Sequence, residues 1–159
     1  MTHATRFVAV AVLVALAQCV PMQAQTPAAD EALARAEAGD AEAQYIIGNR
    51  YAFGLGTHPQ DDAVAMRWYR LAADQGVAWA QTYLGNMYET GKGVPPSYVQ
   101  AHMWHNLVAS RTSGEQRDSA VEARDRVAGL MIPTQIAEAQ RLAREWDAAH
   151  PRRGMLRSI

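Results

Sequence analysis

Hydrophobic and small residues between positions 41 and 53 follow the period of an α-helix rather than the alternation of a β-strand. They fall on one inward face, at Ala43, Ile47, Gly48 and Tyr51. Asp40 stands directly before this segment, where its side chain can accept from the free N–H groups of a helix start. Gly54 and Gly56 follow the segment, and glycine readily adopts the positive φ that ends a helix. The pattern predicts a capped helix followed by a turn.

A second amphipathic segment begins after Pro59. Asp61 is its predicted N-cap. Small alanines allow helices to approach closely and tryptophan fills the groove between them, so we expect an inward stripe at Ala65, Trp68, Leu71 and Ala72. The two segments together predict an αα-hairpin whose apolar faces need neighbouring elements to cover them.

The same pattern occurs twice in the chain. Seven positions recur at a spacing of 37, namely Ala43/Ala80, Gln44/Gln81, Gly48/Gly85, Asn49/Asn86, Tyr51/Tyr88, Gly54/Gly91 and Gly56/Gly93. Five more recur at a spacing of 36, because the second loop is one residue shorter, namely Pro59/Pro95, Ala65/Ala101, Trp68/Trp104, Leu71/Leu107 and Ala73/Ala109. A fixed period of this size is typical of stacked helical repeats, which usually bind other molecules rather than transform them.

The second copy carries its own signals for a helix start and an apolar face. Ser97 is followed three residues later by Gln100, which is the arrangement of a capping box. The predicted inward stripe of this helix consists of Ala101, Trp104, Leu107 and Val108. Since different residues serve the same purpose in the two copies, the alignment of the repeats is supported.

Helical patterns also flank the repeats. A short leading helix is predicted at 28–38, and a charged amphipathic helix at 115–131 carries Ala120, Val121, Val127 and Leu130. Pro133 marks a break before a last helix at 134–149, whose apolar stripe is Ile136, Ala139, Leu142, Ala143 and Trp146. Arrays of repeats need a terminal element with one polar face, and these last two helices fit that role.

The predicted fold is therefore all-α. It is a short α/α solenoid of two helical-hairpin repeats with a leading helix, at 28–109, and a C-terminal two-helix cap at 110–150. Residues 151–159 are expected to form a flexible tail. The alanine-rich composition with 8% aromatic residues agrees with an all-α domain. A net charge of −1 gives no electrostatic footprint for nucleic acid or for an anionic membrane, so neither is an expected partner.

The first residues have the pattern of an export signal. A weakly cationic start precedes an uninterrupted apolar run from Phe7 to Ala17, which is too short to span a bilayer but suits a secretory h-region. We therefore expect a signal peptide at 1–24 and a periplasmic or secreted protein. The alternative is a lipoprotein anchored through Cys19, the only cysteine, although Gln18 stands where a lipoprotein signal wants a small residue. Contact with a membrane is expected only if Cys19 is lipidated.

The repeated motif resembles that of the Sel1-like repeat family, which is related to tetratricopeptide repeats. The second copy carries Ala80-Gln81, Leu84-Gly85, Tyr88, Gly91, Gly93-Val94-Pro95, Ala101 and Trp104 at the positions of that motif, and the first copy matches most of them. The resemblance covers about residues 36 to 147. It implies an adaptor or scaffold in protein complexes, often in the bacterial envelope, and not an enzyme. The motif residues are structural in that family, so it supplies no catalytic positions.

A binding face is predicted on the first helix of each repeat. If these helices line the concave side of the solenoid, their non-core residues face the groove, and these are Tyr45, Asn49, Arg50, Thr82, Asn86 and Glu89. Asn49 and Asn86 recur, and two interpretations remain open for them. Their amides either bind an extended peptide backbone or tie neighbouring repeats together. The expected partner is an unidentified envelope protein or peptide segment.

No cofactor or metal is expected. His102 and His105 are spaced to share a metal ion, but their neighbours supply no carboxylate and no cysteine is at hand. The serines lack the signatures of activated nucleophiles. Two alternative functions remain beside the adaptor. One is a hydrolase acting on cell-wall or β-lactam substrates, which needs Ser or Glu at hydrogen-bond distance from His; the other is a structural subunit that assembles end to end.

Overall fold

The computed structural model describes residues 27–151, and within them the chain forms seven α-helices and no strand. The helices are α1 (Pro27–Glu37), α2 (Ala41–Phe53), α3 (Asp62–Asp74), α4 (Ala78–Thr90), α5 (Tyr98–Arg111), α6 (Gly114–Ala128) and α7 (Pro133–Ala149). The all-α prediction is confirmed. The predicted signal peptide, Cys19 and all but the first residue of the predicted tail lie outside the described residues.

The helices pack in chain order through the two repeats. Helix α1 packs on α2, α2 on α3, α3 on α4, and α4 on α5. Helix α5 then contacts both α6 and α7, so the last two helices cover the end of the array. This is the arrangement of two helical hairpins with a leading helix and a two-helix cap. None of the helices within residues 27–151 is long and apolar enough to cross a membrane.

The predicted N-caps are present in both repeats. Asp40 Oδ1 accepts from the backbone N–H of Ala43 at 2.8 Å. Asp61 Oδ1 accepts from the N–H of Val64 at 2.9 Å, and Ser97 Oγ accepts from the N–H of Gln100 at 3.3 Å. Each side chain satisfies an N–H group that the helix itself leaves unpaired.

The repeated glycines after the first helices make the turns. Gly54 and Gly91 end α2 and α4 with φ of 62° and 74°, in the left-handed region that favours glycine. In the second repeat the N–H of Ser97 then donates to the carbonyl of Tyr88 at 2.8 Å, which returns the chain to the helix it has just left. The turn therefore directs the second helix back along the first.

The glycines inside the first helices allow the second helices to pack against them. A Cβ on Gly48 would lie 2.7 Å from two carbons of the Tyr69 ring. A Cβ on Gly85 would lie 2.5 to 2.9 Å from three atoms of the His105 ring. Helix pairs therefore meet with a ring on one side and bare backbone on the other, which confirms the close approach that the sequence predicts.

The inward stripe predicted for the second repeat is confirmed, because Ala101, Trp104, Leu107 and Val108 are all buried. In the first repeat the stripe is partly wrong, since Leu71 is 49% exposed and Trp68 is only partly buried. Instead, Tyr69, which follows Trp68 in the sequence, lies in the hydrophobic core and has no exposed surface. Because successive residues turn by about 100°, Leu71 lies nearly opposite Tyr69 on α3.

The difference between Leu71 and its counterpart Leu107 has a tertiary cause. Leu107 is buried in one cluster with Ala139 and Ala143 of α7. Helix α3 packs against α2 and α4, while α5 packs against α4, α6 and α7. The same repeat position is therefore covered in the second copy by a helix that lies outside the repeats.

Trp146 holds the closing helix against the second repeat. Its ring meets that of Trp104 edge to face, with centroids 5.7 Å apart. The guanidinium of Arg111 lies 4.7 Å from the centroid of the Trp146 ring and forms an ion pair with Asp147. Helix α7 thus contacts α5 through aromatic and charged groups as well as through its alanines.

Candidate functional site: a groove along the first helices

Two cavities lie side by side along α2, α4 and α6. The first, which we name the tyrosine cavity, has a volume of about 220 Å³ and is lined by Ala52, Phe53, Asp62, Tyr69, Tyr83, Asn86, Met87, Thr90 and Lys92. The second, the histidine cavity, has a volume of about 470 Å³ and is lined by Trp79, Thr82, Asn86, His105, Glu115, Gln116, Ser119, Ala120, Glu122, Ala123 and Arg126. Asn86 lines both, so the two cavities are neighbours on α4, and we call the surface that contains both of them the groove.

Aromatic rings dominate the tyrosine cavity. The rings of Tyr69 and Tyr83 are stacked, with centroids 5.0 Å apart and planes inclined by 5°. Phe53 meets Tyr83 edge to face at 6.0 Å, and Tyr45 lies 6.1 Å from Tyr69 and 6.2 Å from Tyr83. Burial raises the pKa of both Tyr69 and Tyr83, so their hydroxyls stay neutral. Tyr83 and Phe53 therefore present ring surface at this cavity, while Tyr69, which has no exposed surface, lies beneath Tyr83.

Asn49 is held by a contact within its own repeat. Its Oδ1 accepts a hydrogen bond of 2.7 Å from the hydroxyl of Tyr69. This bond joins α2 to α3 and anchors one ring of the stacked pair. Asn49 thus supports the floor of the groove.

The repeated glutamines, rather than the repeated asparagines, connect each helix pair to the one before it. Gln44 Nε2 donates to the carbonyl of Ala36 in α1 at 3.1 Å. Gln81 Nε2 donates to the carbonyl of Ala73 in α3, also at 3.1 Å. Both amides are buried and reach back to the end of the preceding helix. Each carbonyl also accepts from a backbone N–H, of Gly39 for Ala36 and of Gly76 for Ala73, so the glutamine adds a second hydrogen bond at the helix end.

The other predicted groove residues lie along the same surface. Thr82 lines the histidine cavity and donates to the carbonyl of Ala78 at 3.0 Å. Asn86 is exposed, and no hydrogen bond joins its side chain to the described residues. Glu89 forms an ion pair of 2.9 Å with Arg126 of α6, and Arg50 is half-buried in α2. The structure thus brings Thr82 and Asn86 together at the histidine cavity.

His105 lies at the histidine cavity, fully buried and without a hydrogen bond. Neither its Nδ1 nor its Nε2 has a partner among the described residues, and the nearest carboxylate oxygen, on Glu89, is 3.9 Å from Nε2. Burial lowers the pKa of His105 to about 4, so the ring is neutral at physiological pH. The Nε2 of Gln116 on α6 is likewise buried and unpaired.

The hydrolase alternative expects a serine or glutamate at hydrogen-bond distance from a histidine, and these residue types meet in the histidine cavity. Ser119, Glu115 and Glu122 share the cavity with His105, yet none of these described residues is hydrogen-bonded to its ring. A serine nucleophile needs a base at hydrogen-bond distance to remove its proton. Among residues 27–151, no group of three or more His, Cys, Asp or Glu side chains is placed to hold a metal ion.

Several residues that line the two cavities are not among the binding residues that the sequence predicts, although the sequence contains a signal for one of these positions. Tyr69 and His105 occupy the same repeat position, next to the repeated tryptophan, and both pack on the mid-helix glycine. The repeat position that holds tyrosine in the first copy and histidine in the second is therefore a signal in the sequence, because Tyr69 lines one cavity and His105 the other. Tyr83, Phe53 and Gln116 carried no comparable signal, because they have no recurring partner in the other copy.

Solved structures with related folds include the following two. A protective antigen present in uropathogenic Escherichia coli strains, which displays an SLR fold, superposes with a TM-score of 0.70 at 29% identity over 77% of this chain. A Sel1 repeat protein from Oxalobacter formigenes superposes with a TM-score of 0.54 at 30% identity, also over 77% of this chain. The chain matches 26% and 47% of their respective lengths, so it spans about a quarter of one and about half of the other.

A family model places the repeats in the same group. The model for the Sel1 repeat matches residues 41–77 and 80–112, which correspond to the two helical hairpins. No curated protein matches the chain significantly. Repeats of this family generally mediate protein–protein interactions and typically act as non-catalytic scaffolds. The two repeats, their hairpin packing and the related solved structures identify the chain as a member of the Sel1-like repeat family.

Proposed function

We propose that this protein is an exported adaptor or scaffold of the bacterial cell envelope, which binds a segment of a partner protein in the groove along α2, α4 and α6. The observation that carries the proposal is the tyrosine cavity, where the partly exposed ring of Tyr83, stacked on the buried Tyr69, and the exposed ring of Phe53 line a surface recess. Tyrosine offers a large and rigid contact area, and it is enriched in the cores of protein interfaces.

The shape and charge of the groove favour a peptide segment over a small charged ligand. The two cavities share Asn86 as a lining residue, and a partner segment that occupies both of them presents several consecutive residues. Asp62 and Lys92 at the tyrosine cavity have opposite charges, so neither sign dominates there. A partner segment would place apolar or aromatic side chains against Tyr83 and Phe53, with Phe53 54% exposed in the absence of a partner.

Export is supported by the amino-terminal sequence. The apolar run from Phe7 to Ala17 has the length of a signal h-region, and the small residues Ala24 and Ala28 offer cleavage sites after it. Cell fractionation of the full chain expressed in a bacterial host, followed by mass spectrometry of its first residue, tests this. Processing and recovery outside the cytoplasm are expected, with a lipid-modified Cys19 as the anchored alternative. An unprocessed chain in the cytoplasm would overturn the envelope location.

The binding role is tested by cross-linked capture from an envelope fraction. Tyr83→Ala removes one ring of the stacked pair, whereas Tyr98→Ala removes a ring that is 40% exposed and lies outside the groove. We expect a partner captured by the wild-type protein to be lost with Tyr83→Ala and retained with Tyr98→Ala. Circular dichroism checks that both variants remain helical. Equal recovery by all three proteins would remove the groove as the binding surface.

A further inference from the structure

Helix α3 carries an open apolar recess on the side that lies nearly opposite Tyr69. We name it the α3 surface; it has a volume of about 590 Å³ and is lined by Ala63, Met66, Arg67, Arg70, Leu71, Tyr88, Gly93 and Val94. None of these residues lines either cavity of the groove. Leu71 is 49% exposed at this surface. Contiguous exposed apolar surface beside charged residues is typical of interaction sites.

The second repeat shows what covers the equivalent side of its own second helix. At the spacing of 36, Arg67 and Leu71 correspond to Met103 and Leu107 of α5. Both residues of α5 are buried, in one cluster with two alanines of α7 that are four residues apart. In the second copy this side is therefore covered by an amphipathic helix that presents small residues one turn apart.

The covering helix also pairs with an arginine and reaches the end of α3. Nε of Arg111 on α5 donates to Oδ1 of Asp147 on α7 at 2.6 Å. Nε1 of Trp146 donates to Oδ1 of Asp74, the last residue of α3, at 3.4 Å. Helix α3 thus already contacts, at its last residue, a helix that combines small apolar side chains with a carboxylate.

Two arginines give the α3 surface a charge that α5 lacks at the same positions. Arg67 stands where α5 has Met103, and Arg70 stands where it has Asn106. Arg70 donates to the hydroxyl of Tyr88 at 2.6 Å, and neither arginine forms an ion pair with a carboxylate within residues 27–151. Arginine makes its strongest hydrogen bonds with carboxylates, so this surface is complementary to an acidic partner.

We propose that the α3 surface binds an acidic amphipathic helix of a partner protein. The apolar stripe of that helix, with small and aliphatic residues at i, i+3, i+4 and i+7, packs on Met66 and Leu71 as α7 packs on α5. An Asp or Glu beside the stripe pairs with Arg67, which is exposed. The inference goes beyond the proposed function, because this second surface lets the scaffold hold a helix while the groove holds another segment.

The test uses a blocked 18-residue helical peptide as the probe, with Leu and Ala along one stripe, Glu beside the stripe and Gln elsewhere. Binding to the full-length protein is followed by NMR of the methyl groups of methionine and leucine. Met66 and Leu71 report on the α3 surface, and Met87, which lines the tyrosine cavity, reports on the groove. We expect the first two methyl signals to shift while that of Met87 stays unchanged. A shift at Met87 alone, or no shift at millimolar peptide, would overturn the proposal.

Three matched peptides separate the contributions of charge and of the apolar stripe. In the first two, every Glu of the probe is replaced by Gln or by Lys; the third has the composition of the probe in an order that contains no stripe. We expect the Glu peptide to bind at least tenfold tighter than each of them, and its affinity to fall as salt is added. Equal binding by the Gln or Lys peptide would overturn the acidic partner, and equal binding by the peptide without a stripe would overturn helix packing.

Matched variants test the location. Arg67→Glu reverses an exposed charge, so we expect at least a tenfold loss of the Glu peptide and tighter binding of the Lys peptide than in the wild type. Arg117→Glu is the control, since Arg117 is an exposed residue of α6 outside the α3 surface. Leu71→Glu tests the apolar contact, with Leu130→Glu, at a leucine that is 57% exposed, as its control. Circular dichroism checks folding. Unchanged binding of the Glu peptide in both Arg67→Glu and Leu71→Glu would overturn the proposal.

Sedimentation of the protein without peptide tests whether a second copy of this chain is the occupant instead. We expect the wild type and Leu71→Glu to sediment alike. A wild-type dimer that Leu71→Glu dissociates would make the surface an interface between copies and overturn the partner helix. The result is separable from that of the groove, because Tyr83→Ala should leave binding of the Glu peptide unchanged.

Discussion

The hydroxyl of Tyr69 donates a 2.7 Å hydrogen bond to Oδ1 of Asn49, and this contact joins the two helices of the first repeat. Its counterpart in the second repeat is absent among the described residues, because His105 replaces the tyrosine and Asn86 remains exposed. The two recurring asparagines therefore have different surroundings. Asn49 is committed to the scaffold, whereas Asn86 lies at the junction of the two cavities.

Because only the Asn49 side chain is hydrogen-bonded among the described residues, substitutions of Asn49 and Asn86 should affect stability unequally. Tyr69→Phe and Asn49→Ala should each lower the free energy of unfolding by about 1 kcal/mol, because each removes one hydrogen bond. The double variant should cost less than the sum, since both changes remove the same bond. Urea unfolding followed by circular dichroism measures all three. Asn86→Ala is the matched control and should change stability by less than about 0.5 kcal/mol. Additive losses would contradict the bond.

Gly85→Ala is expected to destabilise the protein although alanine is the better helix former. The new Cβ would lie 2.5 Å from the ring of His105, which is enclosed and cannot move away freely. Overpacking costs about 1 to 3 kcal/mol, which exceeds the gain of about 1 kcal/mol in helix propensity. Thermal unfolding measures the net loss. The same substitution in a His105→Ala background should be far less costly, because the opposing ring is gone; equal losses in the two backgrounds would contradict close packing.

We predict that replacing Trp146 by alanine destabilises the protein much more than replacing Trp79. Trp146→Ala removes the ring that packs on Trp104 and under Arg111, and we expect a loss of about 2 to 3 kcal/mol in the free energy of unfolding. Trp79 is 54% exposed, so Trp79→Ala should change stability by less than about 0.5 kcal/mol. Chemical unfolding monitored by helical circular dichroism compares them. Similar losses would show that α7 is not what stabilises the second repeat.

The buried imidazole of His105 predicts a loss of stability in mild acid. Its pKa in the folded protein is about 4, below the ordinary value of 6.5, because burial opposes the charged form. Between these values the unfolded chain binds more protons than the folded chain, so stability falls as the pH is lowered. One pKa unit corresponds to about 1.4 kcal/mol, and the total loss reaches on the order of 3 kcal/mol.

His105→Phe isolates this contribution, apart from the effect of the His105 ring on the pKa of Glu89, which is smaller than that of Arg126. The difference in unfolding free energy between wild type and His105→Phe should change with pH from 6.5 down to 4 and level off outside that range. Glu89, Arg126 and His102 act on the same ring, with Glu89 opposing the effect of burial. Parallel stability curves for the two proteins would show that His105 is not titrated on unfolding.

The repeats were predictable because local chemistry specifies them. Asp40, Asp61 and Ser97 were identified as N-caps from residue type and position, and all three accept the expected hydrogen bond. Gly48 and Gly85 were assigned to close packing from their recurrence within helices, and both face a ring. Such features depend on contacts within one hairpin, which a single period of the sequence contains.

The candidate site was less predictable, since it combines residues from separate hairpins and from the cap. Thr82 and Asn86, which the sequence assigns to a binding face, line a cavity, and Gln116 joins them there only because α6 packs on α5. Tyr83 joins the ring of Tyr69 across the boundary between repeats. Periodicity specifies which face a residue occupies on its own helix, and it contains no information on which helix lies opposite.

The sequence alone thus determined the helices, their caps, the hairpin turns and the family, because each depends on short-range backbone geometry and on a repeated packing pattern. Only the tertiary structure decided the environments of equivalent residues. Leu107 is covered by α7 while Leu71 remains exposed, and the side chain of Asn49 is hydrogen-bonded while that of Asn86 has no such bond within residues 27–151. Burial and hydrogen bonding depend on the neighbours that a helix meets in space, and these differ between the first repeat and the one that carries the cap.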